Sequence, residues 1–386
     1  MGKWQTVKLS DMFTLQMGKT PSRDNSAYWN GTHKWVSIAD LGKVTKFIVD
    51  TKECITDLAV SETGIKATPK DTVVMSFKLS IGKTAVTAEE IYTNEAIMSF
   101  VDRGIYDFDI DYIYHLFSGK DWSEGTNKAV MGVTLNKATL SKISIPLPPL
   151  ETQQQIATTF DEVTHTIDLC NASLEKLDLL VKSRFVEMFG DNKYPTVKTS
   201  DVCDFITKGT TPPANEIFEE YSENMIPYLK VYNLSFTGDL LFHQEPQFIS
   251  KSTHNGKLSR SKVYPNDVLM NIVGPPLGKF SVVTNEYPEW NINQAIAIFR
   301  AKEKVIPQYL MSALMQPDVL RPFLEQAVGI RQLNLSLEQC RNLEISLPPL
   351  ALQQQFAAFV EQTDKSKFIA IHIKKAIRRV NLYDQF

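Results

Sequence analysis

The chain has 386 residues, of which 43% are hydrophobic, 10% aromatic and 22% charged. That composition excludes collagenous, disordered and low-complexity classes and suits two domains. A formal charge of −3 and a pI near 6.1 give no global attraction to polyanions, so any nucleic-acid surface is expected to be a local patch. Residues 1–12 lack the apolar core of a signal peptide and no apolar run reaches transmembrane length, so a cytoplasmic protein without membrane contact is expected.

In chain order, Val7-Lys8-x-Ser10-Asp11 comes first. Gly18-Lys19-Thr20-Pro21, with Arg23, sets a lysine and a hydroxyl on a Gly/Pro loop, which reads equally as a phosphate-positioning element or a plain turn. A Pro69-x-Asp71 turn leads into Thr72-Val73-Val74-Met75, a short strand by its β-branched and apolar run. Gly82-Lys83 and Asn94-Glu95-Ala96-Ile97 follow, then a stretch of helical spacing over 111–117 and a strand over 143–147. Next comes Leu147-Pro148-Pro149-Leu150 with Gln153-Gln154-Gln155-Ile156-Ala157. Proline tolerates only the first turn of a helix, so a helix is expected to start here. Ile156, Phe160, Val163, Ile167, Cys170, Leu174, Leu177 and Val181 recur at alternating steps of four and three, before Phe185 and Met188 close the helix near Gly190. This is the pattern of a coiled-coil seam. A helix over 151–189 measures ~58 Å at 1.5 Å per residue.

The landmarks then return in the same order. Val197-Lys198-x-Ser200-Asp201, Lys208-Gly209-Thr210-Thr211-Pro212, Pro265-x-Asp267 before Val268-Leu269-Met270, Gly278-Lys279 and Asn293-Gln294-Ala295-Ile296 match the first set. A strand over 295–299 and helical spacing over 308–315 precede Leu347-Pro348-Pro349-Leu350 and Gln353-Gln354-Gln355-Phe356-Ala357, two hundred residues after the first copy. The second helix carries Phe356, Phe359 and Thr363, then Ile369, Ile373, Ala376, Val380 and Tyr383 as its seam, with Lys374, Lys375, Arg378 and Arg379 outside. The chain is thus a duplication of domain, Pro-Pro punctuation and helix. We expect duplicated α/β (α+β) domains over 1–146 and 191–346, joined by two long antiparallel coiled-coil helices over 147–190 and 347–386, with pseudo-twofold symmetry.

Familiar catalytic patterns are absent. Gly274-Pro275-Pro276-Leu277 has neither the amide nor the aromatic of an adenine methyltransferase tetrapeptide, and no Glu-x-Lys or Asp-x-Lys follows the Pro-x-Asp turns at nuclease spacing. No Walker loop, nucleophile elbow or His-Glu-x-x-His occurs. Cys54, Cys170, Cys203 and Cys340 lie far apart with no Cys-x-x-Cys and read as reduced core thiols.

The duplicated Leu-Pro-Pro-Leu-x-x-Gln-Gln-Gln, the closure Lys182-Ser183-Arg184-Phe185-Val186-Glu187-Met188-Phe189-Gly190 and the Asp71 and Asp267 turns together resemble specificity subunits of Type I restriction-modification systems. The resemblance spans almost the whole chain and departs where Thr152-Gln153 and Leu352-Gln353 stand in place of the family's Glu-Gln. It implies a non-catalytic subunit that reads a bipartite double-stranded DNA target, one half-site per target-recognition domain, with the helices fixing the gap. It also implies two docked methyltransferase subunits, which bind S-adenosylmethionine and flip the target adenine, and restriction/translocase subunits using ATP and magnesium. This chain would itself hold no cofactor and no metal.

Candidate DNA contacts follow from local charge. The segment 250–262 carries Lys251, Lys257, Arg260 and Lys262 among small polar residues with no acidic one, and is read as a phosphate-binding stretch over a solvated loop. The corresponding first-half region is not basic, so the two domains are expected to read DNA differently. Lys19, Thr20 and Arg23, with Lys208, Thr210 and Thr211, are candidates from the Gly/Pro loops, and Lys83 and Lys279 from the shared glycine turns. Lys34, Lys78, Lys230 and Arg331 complete the set. The alternative to DNA recognition is a coiled-coil scaffold whose domains bind only protein partners.

Overall fold

A strand that leaves a left-handed turn lies inside the main sheet of each half. In the first, Asp71 takes φ 55° and Val73–Ser76 follows; in the second, Asn266 takes φ 72° and Val268–Asn271 follows. The structure, a computed structural model, describes residues 4–78, 80–122, 135–191, 193–274, 276–325 and 334–379. It divides into two compact units, Met1–Leu169 with Lys374–Phe386, and Cys170–Ile373.

In the first unit, Phe13–Met17, Ile97–Asp102, Val73–Ser76, Thr84–Thr87 and Phe47–Ile48 make a five-stranded sheet in that order, antiparallel except for the last pair. The helix Ile110–Gly119 turns Tyr112, Ile113 and Phe117 into its core, where Phe117 packs edge-on against Phe100 with ring centroids 4.7 Å apart. A smaller sheet sets Trp29–Val36 between Glu53–Ile55 and Tyr92–Thr93. In the second unit the corresponding main sheet is Cys203–Lys208, Ile296–Ala301, Val268–Asn271 and Phe280–Val282, all antiparallel, with the helix Pro307–Leu314 buried against it. Its second sheet runs Ile217–Phe218, Phe248–Ser250, Met225–Leu229, Trp290–Ile292 and Lys262–Val263. A two-stranded antiparallel ribbon closes each half just before the proline pair: Val7 opposite Ile145, and Val197 opposite Ile345. The α/β character expected from the sequence is observed in both halves.

The strand registers correct one sequence equivalence. Val73 stands opposite Phe100 and Val268 opposite Phe299, so Asp71 corresponds to Asn266 and Thr72 to Asp267. The left-handed residue carries the turn, not the aspartate as such, because αL backbone is tolerated best by Asn, Asp and Gly.

Two long helices follow the proline pairs, Leu150–Phe189 of 40 residues and Leu350–Arg379 of 30 residues. Within the second unit they run antiparallel: Phe185 packs on Phe356 at 5.4 Å, while Asp178 reaches Lys367 at 2.5 Å. The first helix keeps the expected stripe, with Phe160, Cys170 and Phe185 buried and Ile156, Val163, Ile167, Leu174 and Leu177 half-buried. Its start serves the first unit's core, where Ile156 and Ala157 pack and Phe160 stacks on His115 at 5.2 Å. The second helix departs from expectation. Ile369 and Ile373 are 60% and 42% exposed, and the inward residues are Phe356, Val360, Thr363, Lys367 and Ala370. The stripe keeps one phase by carrying a lysine inward instead of jumping to the isoleucines. Val380, also expected in the seam, lies outside the described residues. Among those residues no helix is long and apolar enough to cross a membrane.

Candidate nucleic-acid interface

The two halves build the same loop pair from the same short-range chemistry. Asn94 accepts the Ala96 N–H at 3.0 Å through its side chain, and Asn293 accepts the Ala295 N–H at 3.2 Å. Each turn receives a glycine from the first strand of its sheet: Gly18 N donates to Ile97 O and Gly209 N to Ile296 O. A side chain cannot fit there, because a Cβ on Gly18 would lie 2.2 Å from Thr93 O and one on Gly209 2.1 Å from Asn293 O. Lys19-Thr20 is thereby held against Asn94-Glu95, and Thr210-Thr211 against Asn293-Gln294.

On this shared frame the exposed chemistry differs. In the first unit Thr20 donates its hydroxyl to Glu95, and the Lys19 ammonium donates to Thr63 O. In the second the Gln294 N–H donates to Thr211 Oγ1 at 3.4 Å, and Tyr228 donates to Thr210 O at 3.2 Å. Lys230 follows Leu229, whose carbonyl accepts the Asn293 N–H, so it lies at the same turn, and Lys208 is exposed at the end of its strand.

Most first-unit candidates are already paired. Arg23 grips Glu53 with both terminal nitrogens at 2.5 and 3.0 Å and lies 3.8 Å over the Trp29 ring. The bonded guanidinium holds the Glu53 carboxyl below its ordinary value. Lys34 donates to Val49 O and pairs with Glu89. Lys78 lies 5.3 Å from the Phe77 ring, and Lys83 is exposed beyond the turn at Gly82. Lys279 occupies the matching turn of the second unit, 5.8 Å from the Phe236 ring. Arg331 lies outside the described residues.

The basic segment is built from a short helix Lys251–Asn255, a 3-10 turn Ser259–Ser261 and the strand Lys262–Val263. Ser250 caps the helix by accepting the Thr253 N–H at 3.1 Å. Lys251, Lys257 and Arg260 are exposed, Lys262 half-buried. Lys257 pairs with Glu216, which also accepts from Thr253 at 2.9 Å. Those two donors, the lysine first, hold the Glu216 carboxyl below its ordinary value. Lys262 donates to Asn255 at 2.6 Å and stands 3.6 Å from Glu289. Glu216 and Glu289 were not legible as part of this surface, since no local pattern links them to lysines tens of residues away.

Among the described residues no group of three or more His, Cys, Asp or Glu could hold a metal ion. All four cysteines are free thiols, and burial pushes Cys203 up to about 12 and Cys340 up to about 11.

Residues 1–179 and 192–379 both match the family described as Type I restriction modification DNA specificity domain. The chain belongs to this family. The Type I restriction enzyme MjaIX specificity subunit of Methanocaldococcus jannaschii is 24% identical over 93% of this chain and 86% of its own length. A chain from a structure on complex assembly and conformational transition of the type I R-M system superposes with TM-score 0.62 at 16% identity, covering 99% of this chain and 96% of that one. The type-I restriction-modification system S subunit from M. genitalium gives TM-score 0.58 at 13% identity over 100% of this chain and 96% of its own. These likenesses establish the shared fold. Its membership of the specificity-domain family makes this chain a recognition subunit of the Type I restriction-modification kind and not a catalytic one.

Proposed function

We propose that each globular domain reads one half of a bipartite double-stranded DNA target, while the long helices set the spacer and dock two methyltransferase subunits. The observation that carries this reading is one backbone frame with two surface chemistries. Gly18 and Gly209 make equivalent bonds to their turns, yet Glu95 in the first half occupies the position of Gln294 in the second, and the first-half region corresponding to the segment 250–262 is not basic. Backbone-positioning parts are shared and base-reading parts diverge, as expected when two readers face different half-sites.

The candidate contacts divide accordingly. Lys251, Lys257, Arg260 and Lys262 would meet phosphates in the second domain, with Lys208, Thr210, Thr211, Lys230 and Lys279 on the neighbouring turns. In the first domain Lys19, Thr20, Arg23, Lys34, Lys78 and Lys83 would meet DNA, and those paired to Glu53, Glu89 and Glu95 must exchange a carboxylate for a phosphate. S-adenosylmethionine, ATP and magnesium would be held by the methyltransferase and restriction/translocase partners. Half-sites one DNA turn apart are ~34–36 Å from each other. A helix of 40 residues is ~60 Å long at 1.5 Å per residue, enough to hold two readers over that gap.

The test is N6-methyladenine sequencing of genomic DNA from cells carrying this chain with its neighbouring methylase, against cells with the methylase alone. A bipartite methylated motif with a fixed gap, present only with this chain, is the expected result. The same pattern without the chain would overturn the reading and favour a protein-only scaffold.

A further inference from the structure

Beneath the basic segment lies a closed polar cluster. Asn291, His254 and Ser261 are each 0% exposed, on three separate elements of the second unit. Asn291 sits on the strand Trp290–Ile292, parallel to Met225–Leu229 on one side and antiparallel to Lys262–Val263 on the other. Its Oδ1 accepts from the Ser261 hydroxyl at 2.9 Å and from the Ile292 N–H at 2.9 Å. Its Nδ2 donates to Leu258 O at 3.1 Å and to His254 Nδ1 at 3.0 Å. A carboxamide has two donor hydrogens and two main acceptor sites, and all four are used.

The orientation of the amide is fixed by chemistry. A backbone N–H can only donate, so the side-chain atom facing Ile292 N must be the oxygen. His254 Nδ1 must then accept, which leaves its proton on Nε2, facing Glu289 Oε2 at 3.3 Å. The three bonds that leave the strand end at positions 254, 258 and 261, in the short helix, the loop and the 3-10 turn of the basic segment. Lys257 and Arg260, exposed, fall between those anchor points. The duplication supplies an internal comparison. Tyr92 stands opposite Trp35 as Asn291 stands opposite Tyr228, so the half without a basic segment also lacks the carboxamide.

We propose that Asn291 is a positioning residue for DNA binding: through His254, Leu258 and Ser261 it pins the segment 251–262 so that Lys257, Arg260 and Lys262 present one phosphate-binding surface. The inference rests on the reading of that segment as a DNA contact. Asn291 itself touches no DNA. A buried carboxamide with every bond made is costly to disturb and therefore holds its segment in a single arrangement.

The test compares the salt dependence of binding to a mixed-sequence DNA duplex for the full chain and four variants. These are the triple Lys257→Ala/Arg260→Ala/Lys262→Ala, Asn291→Ala, Ser261→Ala, and the triple combined with Asn291→Ala. Each lost phosphate contact lowers the slope of log K against log salt by about 0.9. The triple should lose slope accordingly, Asn291→Ala should lose a comparable share, and the combination should be no worse than the triple alone. Ser261→Ala, which cuts one bond, keeps the test decisive if Asn291→Ala fails to fold: it should lose a smaller part of the slope with its thermal transition still cooperative. A triple that loses slope while both Asn291→Ala and Ser261→Ala keep the native slope overturns the positioning inference and leaves the DNA-contact reading standing. A triple that itself keeps the native slope overturns that reading, and the inference with it.

Discussion

Gln153 and Gln353, two hundred residues apart, make the same pair of bonds at the start of their helices. Gln153 Oε1 accepts the Asp109 N–H at 2.9 Å while its Nε2 donates to Pro148 O at 2.8 Å. Gln353 Oε1 accepts the Ile306 N–H at 2.9 Å while its Nε2 donates to Pro348 O at 2.9 Å. Asp109 and Ile306 are the N-cap residues of the domain helices Ile110–Gly119 and Pro307–Leu314. One buried side chain thus ties the first turn of each long helix to the first turn of a helix in the domain before it, which explains why the glutamine recurs with the proline pair.

Replacing Gln353 by leucine should leave the half-buried Ile306 N–H and the buried Pro348 carbonyl without the partners they have now. Each such group costs about 1–3 kcal/mol, so a loss of about 3 kcal/mol is expected in urea unfolding. Gln354→Ala, at an exposed position of the same motif, should shift stability by no more than about 0.5 kcal/mol. Equal effects from the two variants would remove the structural role assigned to Gln353.

The same distinction explains what the sequence could and could not reveal. Residues with a backbone task were legible because their task is local: the glycines at 18 and 209, the asparagines at 94 and 293, and the two proline pairs. Pro-x-Asp misled by one position, since the left-handed residue is Asp71 in one half and Asn266 in the other. In the second half that shift frees Asp267 to accept from Arg300 at 2.8 and 2.7 Å, where Thr72 has only hydroxyl and amide partners. The second helix misled because a lysine is ordinarily assigned outward, and the carboxylate that lets Lys367 turn inward lies on another element. For the same reason the segment 250–262 was legible as charge, but its ties to Glu216 and Asn291 were not.

Glu216 competes with DNA for Lys257. The two are paired in the free protein, so a phosphate must displace the carboxylate before the lysine contributes. Glu216→Gln should tighten binding to a mixed-sequence duplex about threefold at low salt and steepen the salt slope by up to about 0.9. Filter binding or fluorescence anisotropy across a salt series reads both quantities. An unchanged affinity and slope would mean that Lys257 does not reach the DNA.

Acid should weaken the second unit through His254. Burial, reinforced by Lys262 and Lys251 and opposed by Glu289, holds its imidazole below the ordinary value of 6.5. A histidine whose folded pKa is depressed binds its proton more readily when unfolded, so stability is fully present above 6.5 and falls as pH drops from there towards the folded value. Protonation also places a hydrogen on Nδ1, against the amide of Asn291. His115 is lowered too, chiefly by burial, with Asp161 opposing. His254→Gln should therefore remove part of the decline in urea stability between about pH 7 and pH 5, not all of it. An unaltered pH profile would show that His254 keeps the same protonation in both states.

Lys367 is the clearest place where the helix pair carries a cost. It is 7% exposed and lies 2.5 Å from Asp178, 3.7 Å from Asp239 and 3.8 Å from Asp364. Burial alone would lower its pKa, but those carboxylates outweigh it and hold the ammonium above its ordinary value. Burial conversely raises the Asp364 carboxyl. Lys367→Met should then cost about 3 kcal/mol near neutral pH, because three carboxylates are left facing one another without a cation. Adding Asp178→Leu should recover much of that loss, since replacing both members of a buried pair by apolar side chains is often neutral. The penalty of Lys367→Met should also shrink on acidification, because Asp364, whose carboxyl burial raises, takes up a proton. Urea melts of the single and double variants at two pH values measure the coupling directly. If Lys367→Met is neutral at both, the lysine is a tolerated passenger in the seam and not its electrostatic keystone.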